Sequence, residues 1–207
     1  MMTAIRHIAM FVAMLVIAIA NVSCGNDTDT VLTNQQTAIS RYLTGSHQPR
    51  LIAESDRSNS LDDAPEFYTQ WGLDIYRYIS TYYNEGRDEL PEIAWGDTIE
   101  ITYSGYIFNT SKPTINELFA TNDAEIIAQL EALGLNTSYE WTSEPMAVTL
   151  GSGAMLDSLK KALVGCREGD SVEVYLTYDA AYGKHHVGFV PSKSSQAWYI
   201  DIVSVTK

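Results

Sequence analysis

The chain has 207 residues, 45% of them hydrophobic, which is enough for one domain with a core of its own plus extra segments. Its 26 acidic and 13 basic residues give a formal net charge of −13. An acidic surface of this kind argues against nucleic acid as a partner, because binding phosphate needs clustered Lys and Arg.

The N-terminus reads as a targeting segment. Arg6 and His7 precede an apolar run from Ile8 to Ala20. That run has the length of a signal-peptide core and is too short to span a bilayer comfortably. It ends at Asn21-Val22-Ser23-Cys24, which resembles a bacterial lipoprotein signal. The resemblance implies that residues 1–23 are removed and that Cys24 becomes the lipidated first residue. Ordinary secretion and an uncleaved anchor are the competing readings. With Cys24 carrying lipid, Cys166 has no partner for an internal disulfide.

Residues 24–33 are polar and read as a tether. The spacing predicts a short helix over 34–44, capped by Thr33 or Asn34 and ended by Gly45, with Ile39, Tyr42 and Leu43 on one face. It opens an N-terminal helical extension, 34–72, in which residues 55–66 read as loop. From Asp74 to Tyr82 the alternation puts Tyr76, Tyr78 and Tyr82 on one face of a strand and Ile75 and Ile79 on the other. Such an aromatic face is either core or a platform for stacking sugar or peptide.

Ile99 to Phe108 reads as the next strand. A helix is predicted over 122–133, capped by Asn122 or Asp123, stopped by Gly134, and striped by Ile126, Leu130 and Leu133. A strand at Pro145–Leu150 precedes a short amphipathic helix from Gly153 to Val164, carrying Met155, Leu156, Leu159 and Leu163. Cys166 just beyond it reads as a small buried apolar side chain. Strands at Ser171–Tyr178 and Gln196–Val205 close the pattern. Strands outnumber helices, which favours an α+β fold: an antiparallel sheet with one helix packed across it.

No covalent catalytic constellation stands out. The serines lack a Gly-x-Ser-x-Gly setting. The adjacent His185 and His186 would point apart in extended chain, so no metal site and no cofactor is expected.

One ordered set of segments goes further. It runs Gly96-Asp97-Thr98-Ile99-Glu100-Ile101-Thr102-Tyr103-Ser104-Gly105, then Val148-Thr149-Leu150-Gly151-Ser152-Gly153. It continues with Ala180-Ala181-Tyr182-Gly183 and Val190-Pro191, and ends with Ala197-Trp198-Tyr199-Ile200-Asp201-Ile202. Over Leu73 to Lys207 this resembles the FKBP family of peptidyl-prolyl cis-trans isomerases. The resemblance implies an FKBP-like antiparallel sheet wrapped around a short helix at 73–207, interrupted by a helical insert at 109–145. It also implies an apolar cup for X-Pro segments of peptides or unfolded proteins. With the lipid signal, the expected place is the bacterial cell envelope, anchored to a membrane, the outer one by preference.

Residue by residue, the resemblance makes Tyr103 the pocket tyrosine and matches Phe108 to the Phe of the family's Phe-Asp-Ser-Ser. Met155 and Leu156 open the helix, where the Leu156 N–H would donate to a substrate carbonyl. The Tyr182 hydroxyl would donate to the carbonyl near the proline. Val190 and Trp198 complete the wall. Several positions depart from the pattern. Asn109 stands for the family's Asp, Met146 for a Phe, and Leu159 for the Trp of the pocket floor. Trp198, larger than the usual Phe, is placed to fill part of the space Leu159 leaves. These departures keep two functions open: a working isomerase, and a non-catalytic peptide- or protein-binding module on the same scaffold.

Overall fold

The computed structural model describes residues 26–134, 141–153 and 155–207. The leader 1–23 and Cys24 lie outside the described residues. A helix, α1, runs from Asn26 to Arg41, so much of the expected tether is helical. No Gly or Pro interrupts 26–41. The helix continues into a wide turn, Tyr42–Ser46, passing Gly45 before it ends.

Eight strands follow: β1 Ile52–Ala53, β2 Phe67–Trp71, β3 Ile75–Ile79, β4 Thr98–Ile107, β5 Leu118–Thr121, β6 Met146–Thr149, β7 Ser171–Leu176 and β8 Gln196–Thr206. Two helices join them, α2 at Ala124–Ala132 and α3 at Asp157–Leu163. The sheet order is β1-β2-β3-β7-β8-β4-β5, with β6 also on β4. All pairs are antiparallel except β1 with β2. The extension is therefore only partly helical: after Ser46 it adds β1 and β2 to the sheet, with a short 3-10 helix, Glu54–Asn59, between them in part of the stretch read as loop.

Alternation along the strands gives the sheet two buried faces. On one face Ile99, Ile101, Val172, Val174, Ile200 and Ile202 pack around Leu159 and Leu163 of α3. On the other Tyr76, Tyr78, Phe108 and Tyr175 pack against Ile39, Tyr42 and Leu43. Tyr76 and Tyr78 are thus core, which removes them as a stacking platform. Tyr82 leaves their face and meets Phe67 edge-on, with ring centroids 4.8 Å apart.

The chain between Phe108 and Met146 is more than a helical insert. A single helical turn, Ile115–Glu117, leads into β5, which pairs with β4. The extra chain begins after that strand. In it, Asp123 caps α2 by accepting the N–H groups of Glu125 and Ile126. Ile127 and Leu130 face inward, while Leu133 is 61% exposed. The helix ends at Ala132, so Leu133 sits on the cap beside Gly134 (φ 70°) and has left the stripe.

Two charged clips hold α3 and the loop after it. Arg77 on β3 donates to the carbonyls of Ala162 and Val164, each at 2.9 Å, and so caps the C-terminus of α3. Arg87 grips buried Asp170 through two 2.7 Å hydrogen bonds.

Candidate functional site

A cavity of about 450 Å³ lies where the start of α3 faces β4, β6, β8 and the loop after β7. Local sequence accounts for each wall. Strand alternation on β4 and β8 sends Ile101, Tyr103, Trp198 and Ile200 to the α3 side. Leu159 closes the cavity from α3 and is 2% exposed. Met146 on β6 sits at the rim, and Met155 and Leu156 lead into α3. The Ala-Tyr-Gly turn places Tyr182 opposite. No charged side chain is among the described lining residues.

Of the expected site residues, Tyr103, Met146, Met155, Leu156, Leu159, Tyr182 and Trp198 therefore meet around one space. Phe108, Asn109 and Val190 do not. Phe108 is 1% exposed in the opposite core, its ring 5.3 Å from both Tyr42 and Tyr175. Asn109 follows it into an exposed turn. Val190 is buried beneath its own loop, paired with Val187.

Another aromatic, Phe119 on β5, packs against the lining without being part of it. Its ring stands edge-on to Trp198 at 5.2 Å and lies 6.4 Å from Tyr182. Both Phe119 and Trp198 cross over Gly105: a Cβ there would come within 2.9 Å of each ring. That is why a glycine stands inside β4, and it was the available signal. A glycine within a strand marks close approach by something else. The next residue, Ala120, lines the cavity and offers no hydrogen-bonding side chain. Asn109, expected at the family's Asp position, brings no polar group to the cavity.

Two donors are free to meet a ligand. As the residue before α3, Leu156 has a backbone N–H with no acceptor among the described residues. The half-buried Tyr182 hydroxyl likewise has no hydrogen-bond partner among them. Burial, reinforced by the Tyr103 phenol, pushes the Tyr182 pKa up, so the group is a neutral O–H donor at pH 7. Trp198 by contrast uses its indole N–H on Gln196 Oε1, at 2.9 Å, and shows the cavity only carbon.

A model of the FKBP-type peptidyl-prolyl cis-trans isomerase family matches residues 91–203. The chain belongs to that family. The match covers the FKBP site from β4 to β8 and leaves β1–β3 outside it. Among solved structures, the N-terminal domain of FKBP42 from Arabidopsis thaliana is similar at 12% identity and a TM-score of 0.48, over 72% of this chain and 98% of that one. No curated protein sequence matches.

Tyr103, Tyr182 and Trp198 give the cavity aromatic walls, while the resemblance puts an aromatic floor at the Leu159 position. Leu159 takes that place, and Trp198 lines the same space rather than turning away from it. Cys166, behind α3, takes no part: burial pushes its thiol up to about 11, and it packs as a small apolar group.

Proposed function

We propose that this FKBP-type protein is a prolyl isomerase and folding factor of the bacterial cell envelope, held at a membrane by a lipid on Cys24. The observation that carries the catalytic part is the uncharged cavity with two unengaged donors, Tyr182 and the Leu156 N–H, on its wall. Rotation about X-Pro faces a barrier of about 18–20 kcal/mol, while the two end states are close in energy. A catalyst needs only to hold the twisted amide better than the planar one. Twisting removes resonance and makes the carbonyl less dipolar, which an apolar wall favours. The Leu156 N–H would hold one substrate carbonyl, and the Tyr182 hydroxyl the one near the proline. Tyr103 and Trp198 would enclose the ring, with Phe119 supporting Trp198 from behind. The lipid anchor is supported by the leader and the position of Cys24 within it.

Leu159 supports a second reading, a binding module that no longer catalyses. An Xaa-Pro isomerisation assay on the purified protein separates the two, with Tyr182→Phe and Leu159→Trp run beside it. The isomerase reading expects a rate above the uncatalysed background that falls by roughly 10- to 100-fold in Tyr182→Phe. An inactive parent that gains activity in Leu159→Trp would make the protein a binder on an intact scaffold.

A further inference from the structure

The outer edge of β4 has a gap. β6 pairs with it up to Ile101, and β5 takes over from Ser104. At the junction three backbone groups face outward: the Ile101 carbonyl, at the end of the β6 pairing, and the N–H and carbonyl of Tyr103, which neither strand pairs. Asn122 bonds all three, and the Thr121 hydroxyl shares the Tyr103 carbonyl at 2.9 Å. Its Oδ1 accepts the Tyr103 N–H at 2.6 Å, and its Nδ2 donates to the Ile101 carbonyl at 3.1 Å. Its own backbone N–H donates to the Tyr103 carbonyl at 3.1 Å. The side-chain amide thus acts as one peptide group of a missing strand. Its remaining proton donates to the Glu144 carbonyl at 3.0 Å, which ties the two feet of the extra chain together. Asn122 is 3% exposed, so these bonds have no competing water.

The bonds converge on the cavity. Ile101 and Tyr103 line it from β4, Ala120 lies two residues before Asn122, and Met146 lies two residues after Glu144. We infer that Asn122 is a positioning residue for the binding cavity: its side-chain amide sets the Tyr103 backbone and holds β5 and β6 as one continuous wall. The inference rests on the reading of this cavity as an X-Pro site. It also explains how the domain accepts the extra chain, since both ends enter and leave at the same amide.

The test is Asn122→Asp on the full protein, with Asn122→Ser as the second variant should the first fail to fold. Ionised Asp keeps an acceptor for Tyr103 and turns its other oxygen on two carbonyls; Ser is too short to bridge three groups. Amide hydrogen exchange is read at Tyr103 and, as a control, at Val174 on central β7. Steady-state constants are read with an Ala-Phe-Pro-Phe tetrapeptide. Expected is loss of protection at Tyr103 with Val174 unchanged, and KM raised roughly tenfold while kcat moves less than about threefold, because Tyr182 and Leu156 lie on other segments. Wild-type protection at Tyr103 in the folded variants overturns the inference, as does lost protection with KM unchanged. A wild type that neither binds nor turns over the tetrapeptide sinks the X-Pro reading instead, and protection at Tyr103 then decides the staple by itself.

Discussion

Exchanging Phe119 and Phe108 for alanine, one at a time, separates the two faces of the sheet. Phe119→Ala removes the ring that supports Trp198 and Tyr182 at the cavity and should lower kcat/KM about tenfold through KM. Phe108→Ala empties the opposite core, where the ring is 1% exposed, and should cost about 3–5 kcal/mol of stability with kcat/KM of the folded protein unchanged. Denaturant unfolding and the isomerisation assay read both; the opposite pairing of effects would return Phe108 to the wall. Tyr182 makes a second prediction. Its raised pKa keeps it protonated well past neutrality, so kcat/KM should stay flat from neutral pH to about pH 9. A fall through that range would mean the donor is not a neutral phenol. Most of the wall was legible because Tyr103, Leu156, Tyr182 and Trp198 each sit in a short motif that carries its own context. Phe119 was not, because Phe108 and Phe119 both lie between Tyr103 and α2 and nothing local to either tells which side of the sheet it takes. Gly105 holds the answer, but only once the rings above it are seen.

At the level of elements, the clips predict more than the strands do. Arg77→Met removes a charged cap from α3 and should cost about 1.5–3 kcal/mol, the range of a charged hydrogen bond, as read by chemical unfolding. His47 clasps the segment after α1 to the far face. Its Nε2 meets Glu173 at 2.9 Å, its Nδ1 meets the Pro49 carbonyl, and the rings of Tyr42 and Tyr78 enclose it edge-on. Burial opposes the charge, but Glu173 and the Pro49 carbonyl outweigh it, so the folded pKa is raised. The stability it contributes is complete below the ordinary histidine value of about 6.5 and is lost as pH rises through the raised one. Tm should therefore fall across the range above about 6.5, and His47→Gln should remove that slope. The long strands, β4, β7 and β8, and the short helix α3 could be read from their periodicity. β5 could not, because four residues are too few to show a period. The start of α1 was hidden because polar residues form a helix as readily as a tether.

At the scale of the whole chain, the proposed lipid anchor makes a prediction of its own. Cys24→Ala should move the protein from the membrane pellet to the soluble fraction; a variant still in the pellet would sink the lipid anchor. No periodicity in the sequence could show that the sheet is buried on both faces, since Tyr76, Tyr78 and Tyr175 look as ready for solvent as for core. What settles it is Ile39, Tyr42 and Leu43 lying across them.

The order of the strands has one more consequence. β8 is the last to be synthesised, yet it lies in the middle of the sheet, between β7 and β4. Until residues 196–206 arrive, no strand joins β4 and its two partners to β7. The earlier strands can form hairpins but cannot close a core. The strand on which both halves of the sheet depend is thus the last one made, so shortening the chain from its C-terminal end removes the middle of the sheet and not its edge.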